Sequence, residues 1–435
     1  MNKRIDTSAG AQRIAQDETL IIGRLGSVSG EIAVDFVSGL GAGQVYVGGF
    51  VIGSHAGAEL DGNDDLVIRE SGAVMAAGVL GSDAVRLSGV GNNIVVQGSI
   101  FGTDTGITSE AGSTMRVLIA RNGGVQGGSN NTGNDHDMHS AAIAASSGAV
   151  VTNLGAIIGD LNPDTGKRVA VLNARATTQE DEGYDAELYA ELTLVNRGLV
   201  RGDVIMGGGI DRYDGRGDGW VVGTIDLGNG NDIAFGGNDV DFILGGAGSD
   251  SIRGGDGRDT IHGGDNGDYI IGGLDNDYLW GDGGNDLLVG ARGNDTLRGG
   301  EGDDFLKGNH GDDSLFGGGN HDRIDGGSGD DFLSGSRGRD TLEGRDGNDT
   351  LSGGEQADVF LFRFGTGDDI IVDFSISDGD AINLRHAPSI HSFTDLVANH
   401  VVDTPDGALI TTSFGDTILV QGVAVADLDE ASFIF

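Results

Sequence analysis

Gly254-Gly255-Asp256-Gly257-Arg258-Asp259-Thr260-Ile261-His262 is one unit of a pattern that runs without insertion or deletion over residues 227–361. These 135 residues divide into fifteen units of nine. Aspartate stands sixth in every one: Asp232, Asp241, Asp250, Asp259, Asp268, Asp277, Asp286, Asp295, Asp304, Asp313, Asp322, Asp331, Asp340, Asp349 and Asp358. Ile or Leu is eighth in thirteen units, with Ala234 and Phe360 at the two ends, and Gly is first in all but the opening unit. The consensus is G-G-x-G-x-D-x-U-x, with U a large apolar residue.

Gly, Asn and Asp dominate the first six places, and all three tolerate positive φ and tight turns. Places seven to nine, as in Thr260-Ile261-His262, predict a three-residue strand with only its middle residue inward. Two units then make one flattened coil of a parallel roll, so that unit n stacks on unit n+2. The aspartates fall into two columns, with Asp232, Asp250 and Asp268 in one and Asp241, Asp259 and Asp277 in the other. Coils lie about 4.8 Å apart, and two bare carboxylates at that distance repel by roughly 3.5 kcal/mol at an effective dielectric of 20. A hard dication between them reverses the sign. Oxygen-only ligation in a flexible loop suits several Ca2+ ions better than Mg2+, which demands a stricter octahedron. One buried aliphatic per nine residues is a thin core, so the metal is expected to be part of the fold.

The rest of the composition agrees. The chain has 435 residues, with 83 Gly, 3 Pro, no Cys and a formal net charge of -42. Such acidity argues against nucleic acid or an anionic membrane as partner, and it favours an expanded chain until cations neutralise it. Disulfides and thiolate metal sites are excluded. No apolar run reaches the length of a membrane helix. The opening residues 1–6 are basic with no apolar stretch behind them, so no cleaved N-terminal secretory signal is expected.

Residues 1–226 are Gly-rich and β-branched, with a looser motif G-x-[VI]-x-[GA] at Gly72, Gly98, Gly155 and Gly198 and a shifted copy over 124–127. Asn precedes several of these by two places (Asn122, Asn153, Asn196). Spacings near 25 predict a parallel β-helix, with a twisted β-sandwich as the alternative. Two polar insertions are expected, at 127–140 and 161–189. Residues 204–226 read as degenerate coils grading into the strict repeats. Beyond 361 the sequence predicts a β cap with a short helix near 393–399 and a hairpin over 408–421, since a solenoid needs its last coil covered.

The nonapeptide, the closing unit Gly353-Gly354-Glu355-Gln356-Ala357-Asp358-Val359-Phe360-Leu361 and the block Gly365 to Phe374 together resemble RTX haemolysin-type calcium-binding proteins with a serralysin-like C-terminal region. The resemblance covers about residues 227–435. It implies that the fifteen sixth-place aspartates are the side-chain ligands of Ca2+. It also implies that the C-terminal segment is an uncleaved signal for a type I secretion exporter of a Gram-negative cell. The second place departs from Gly at Asp282, Ala291, Asn309, Ser336 and Arg345; the fourth is Asn or Asp at Asp239, Asn266, Asp275 and Asn320, the next most tolerant types, and Gln at Gln356. The expected fold is therefore all-β: a β-helix-like solenoid over 1–226, continuing into an RTX parallel β-roll over 227–361 and a C-terminal cap with the secretion signal over 362–435.

The resemblance names no activity, because one secretion module carries many cargoes. A serralysin-like protease needs His-Glu-x-x-His, and no histidine here precedes Glu. A lipase needs Gly-x-Ser-x-Gly, which is also missing. Two function classes stay open. The first is a non-enzymatic structural or adhesive component of a cell surface or matrix, with glycans as partners. The second is a carbohydrate-active lyase or epimerase on the N-terminal β-helix, with Asp135, His136, Asp137, His139, Lys167 and Arg168 as its candidates.

Overall fold

The computed structural model describes residues 2–5, 8–14, 19–22, 27–36, 44–61, 63–76, 83–102, 105–109, 115–127, 142–145, 148–159, 169–173, 191–363, 367–386, 389–412 and 415–435. Nearly all of its strands pair in parallel, as a β-solenoid requires and a sandwich does not. The chain divides into two compact units. One is Met1–Asn238 with Phe242–Leu244, and the other is Asp239–Asp241 with Gly245–Phe435.

Coils of the first unit have three strands each, as in Asn92–Val96, Ser99–Phe101 and Ile107–Ser109. Three inward columns hold them together. The first runs Leu20, Val45, Leu66, Ile94, Val117, Val151, Leu194, Tyr213 and Ala234, all buried. The second runs Val51, Val74, Ile100, Val125, Ile157, Val200 and Val221. The third is Val85, Ile107, Ile143, Val171, Val204 and Ile225. The apolar centre of G-x-[VI]-x-[GA] is the second column. Its glycine is where coils approach most closely, since a Cβ on Gly98 would collide with the Gly72 carbonyl and one on Gly155 with that of Gly123. The copy assigned to 124–127 therefore begins at Gly123 and is in register after all.

Asn153 and Asn196 are buried and stack, with Asn153 Nδ2 donating to Asn196 Oδ1 at 2.9 Å. Each Oδ1 also accepts the N–H of the motif glycine, Gly155 or Gly198. Asn122 is exposed and takes no such place. The second expected insertion is not one loop, because the strand Val169–Asn173 inside it pairs with Ile143–Ala145 and with Asp203–Ile205. The enzyme candidates Asp135, His136, Asp137, His139, Lys167 and Arg168 lie outside the described residues.

In the second unit each coil has two strands, and Thr260 pairs with Tyr278 as Ser251 pairs with Tyr269, the n to n+2 stacking expected. The strands are longer than predicted. Thr260–Asp265 and Thr296–Glu301 span six residues each, running from place seven into place three of the next unit. Both place eight and the first-place glycine are buried. The chain turns at places two and four, where φ is positive from Gly246 and Gly248 through Gly354 and Gln356. Glycines there have φ between 103 and 143°, for example Gly354 and Gly338, whereas Asp282, Ala291, Asn309, Ser336, Arg345 and Gln356 sit at 70 to 86°. At Arg345 this strained position has a return, because the guanidinium pairs with Asp325 (2.5 Å) and Glu343 (3.5 Å), both nearly fully buried.

The end of the roll is covered as a solenoid needs. Ile382 lies over Phe360 and Ile371 over Leu351. Asp373 stands in for a missing coil, accepting the N–H groups of Gly353 and Gly354 at 3.0 Å and the Ser352 hydroxyl at 2.6 Å. The expected hairpin is Gly407–Thr411 against Thr417–Gln421, and the latter also pairs in parallel with Asp368–Ile371. The helix Phe393–Asn399 is N-capped by Ser392, whose hydroxyl accepts the Asp395 N–H. Phe433 is buried beside Phe393, and Phe433–Ile434 pairs with Ala381–Asn383. The tail read as an export signal is thus also a packed part of the cap.

Left-handed backbone costs an L-residue about 1–2 kcal/mol, partly offset by the greater unfolded-state freedom of glycine. Ala291→Gly should therefore raise the stability of the calcium-loaded chain by about 0.5–1 kcal/mol. Urea titration checks this, and a loss of stability would contradict the strain at φ 86°.

Candidate metal centre

The sixth-place aspartates form hydrogen-bonded ladders. The backbone N–H of each donates to Oδ1 of the aspartate one coil further on. One ladder runs Asp241, Asp259, Asp277, Asp295, Asp313, Asp331, Asp349 and Asp369, with distances of 2.7 to 3.0 Å. The other runs Asp250, Asp268, Asp286, Asp304, Asp322, Asp340, Asp358 and Asp380. In the first unit Asp211 donates in the same way to Asp232 Oδ1 at 2.7 Å. The carboxylates from Asp259 and Asp268 onward are therefore not the bare column expected from the sequence, for one oxygen of each already has an N–H.

The second oxygen is different. Oδ2 of Asp259, Asp277, Asp295, Asp313, Asp331 and Asp349 is buried with no hydrogen-bond partner, and the same holds for Asp268, Asp286, Asp304, Asp322, Asp340 and Asp358. An ionised oxygen out of water and unpaired is costly, and its repetition from Asp259 to Asp358 calls for a counter-charge. The surroundings fit a hard cation. A Cβ on Gly281, Gly299, Gly308 or Gly335 would meet both the Oδ2 of its own unit's aspartate and the carbonyl of the glycine eighteen residues on. Only oxygen donors converge there, the ligand chemistry of Ca2+. Among the described residues no three His, Asp or Glu side chains close on one point. A bound ion would then take one or two carboxylates and complete its shell from loop carbonyls.

Burial pushes these carboxylates well above the ordinary 3.8, to about 8 for Asp259, Asp277, Asp322 and Asp331 and to about 7 for Asp268, Asp304 and Asp313. The backbone N–H that each accepts pulls the other way, and the charge of a neighbouring aspartate adds to the rise in all seven. Burial thus opposes an anion that only a cation can compensate.

Three ladder members were missed by the nine-residue phase: Asp211, Asp369 and Asp380. Each begins a D-x-Φ triplet (Tyr213, Ile371, Ile382), a signal that a search without fixed spacing could find. Asp380 differs from the rest, because its Oδ2 accepts the Ser375 N–H at 2.8 Å and so closes its ladder.

The family described as RTX calcium-binding nonapeptide repeat (4 copies) matches residues 226–261, 235–270, 262–297, 289–324 and 325–360. Residues 226–360 are an RTX calcium-binding repeat array. No match was found among curated proteins. The RTX match ends at residue 360, and the serralysin-like resemblance expected beyond it is not shown.

The raised carboxylates of the RTX array fix a pH dependence. Between about pH 4 and pH 8 the calcium-free roll binds more protons than the unfolded chain, so its stability is greatest below the unfolded value of 3.8 and is lost as pH rises through the folded values. With chelator present, the β signal in circular dichroism should grow as pH falls from 8 towards 4. With calcium present the trend should reverse, because ligands must be deprotonated. A calcium-free signal indifferent to pH would refute the buried-anion account.

Proposed function

We propose that this chain is a secreted RTX protein whose repeats fold on calcium outside the cell, and that it serves as a structural or adhesive component of a surface or matrix. The fifteen sixth-place aspartates, Asp232 to Asp358 at nine-residue intervals, are the proposed side-chain ligands. The observation that carries the reading is the buried Oδ2 without a partner in coil after coil. Extracellular modules bind calcium at about 10⁻⁴–10⁻³ M, so a cytosol poor in calcium would keep the chain open for a type I exporter. No helix among the described residues is long and apolar enough to cross a membrane. Surface glycans are the proposed partners. The lyase or epimerase reading rests on residues outside the described ones, and no contact among the described residues favours it.

Removing the charge at one Oδ2 tests the ligand assignment. Asp295→Asn keeps an acceptor for the Asp277 N–H and should weaken calcium-induced folding on the order of tenfold in midpoint, equivalent to about 1.4 kcal/mol. Asp380→Asn, where the two oxygens already accept the N–H groups of Asp358 and Ser375, should lower stability and leave the number of bound calcium ions unchanged. Equal calcium defects in the two variants would argue against the assignment.

Export is tested by co-expressing the full chain, or a chain lacking 418–435, with a type I exporter and assaying the medium. The truncated chain should stay inside the cell. Because the deletion also removes Thr417–Gln421 in large part and Phe433–Ile434 entirely, its calcium-loaded form should melt at a lower temperature as well. Undiminished export would sink the secretion assignment whatever the melting temperature.

A further inference from the structure

Upstream of the matched repeats, Met206-Gly207-Gly208-Gly209-Ile210-Asp211-Arg212-Tyr213-Asp214 has Gly at the second and fourth places, Asp at the sixth and a large apolar residue at the eighth. Asp211 lies 21 residues before Asp232, not 18, because this coil carries the extra strand Trp220–Val222. The unit is therefore out of phase with the array, and its first place is the buried Met206 where the strict units have Gly.

Its backbone nevertheless behaves as theirs does. Gly207 and Gly209 have φ of 93 and 113°. The Asn229 N–H donates to the Gly207 carbonyl at 2.6 Å, and the Gly209 N–H donates to the Asn229 carbonyl at 2.9 Å. A Cβ on Gly228 or Gly230 would collide with the carbonyl of Gly207 or Gly209, so the two loops stack as closely as any pair of strict repeats. Asp211 itself is only 1% exposed. Its Oδ1 accepts the Leu192 N–H at 2.5 Å, and its Oδ2 is buried without a partner. The other buried acid of this segment is already compensated, since Asp214 pairs with Arg197 at 2.8 Å and with Arg216 at 2.6 Å.

We propose that Asp211, together with backbone oxygens of the stacked loops 206–211 and 227–232, forms a further calcium site that lies outside the recognised repeats and within the first compact unit. The inference rests on the reading of the ladder aspartates as calcium ligands. It extends the metal's influence to the three-strand coils, because Asp211 also holds the first residue of the strand Leu192–Asn196.

Crystals of the full chain grown with calcium, measured for calcium anomalous scattering, test it directly. A peak about 2.3–2.6 Å from Asp211 Oδ2, in addition to peaks along the ladders, is the expected result. Peaks at Asp259, Asp277 and their neighbours with none at Asp211 would overturn this inference alone. No peak at any ladder aspartate would overturn the ligand reading and this inference with it. In solution, Asp211→Asn preserves the acceptor for Leu192 and should lower the calcium bound per chain by one, counted by atomic emission after dialysis. The exposed control Asp218→Asn should lose none. Unchanged stoichiometry in Asp211→Asn would assign Asp211 a purely structural role. Should that variant fail to fold, the wild-type crystal still decides.

Discussion

The bond from the backbone N–H of one column aspartate to Oδ1 of the next is the constraint on which the rest of the roll depends. It fixes the eighteen-residue register, because any slip would separate donor from acceptor along a whole ladder. A hydrogen bond to a charged acceptor contributes about 1.5–3 kcal/mol, and here it recurs in every coil. It also decides where the other oxygen goes. With Oδ1 held by the neighbouring coil, Oδ2 is turned inward against the first-place glycine, and the absence of a Cβ there leaves room for it.

A carboxylate has acceptors only, so an aspartate ladder cannot satisfy its second oxygens from within itself, and each needs a donor from outside or a cation. The buried pair Asn153 and Asn196 in the first unit shows the contrast. An amide has both donor and acceptor, so Asn153 bonds to Asn196 and to the Gly155 N–H without any ion. The same stacking geometry therefore gives a self-sufficient ladder with asparagine and a cation-demanding one with aspartate. Linking the fold to calcium follows from choosing the second.

The ends of a ladder need separate solutions, and the cap supplies them from side chains. Asp380 brings its second oxygen to the Ser375 N–H, and Asp373 covers the glycine N–H groups of the last coil. The strained second-place residue Arg345 is compensated in a similar local way, because its guanidinium pairs with the buried Asp325 and Glu343.

The sequence alone determined the two-unit coil, the columns of aspartates and the parallel roll, because a strict period of nine leaves one stacking register that buries every eighth place. It also located the short helix and hairpin of the cap, where Ser392 and the alternating apolar residues after Gly407 are local signals. Only the tertiary structure decided what each carboxylate oxygen does, since donor and acceptor are eighteen residues apart and which oxygen faces inward depends on stacking. It alone added Asp211, Asp369 and Asp380 to the ladders, because insertions between coils hide their period while leaving their spatial register intact. It also moved the loose N-terminal motif to Gly123 and turned Val169–Asn173 from presumed insertion into strand. Pairing across coils of variable length is a property of the stacked chain, and no local pattern of residues records it.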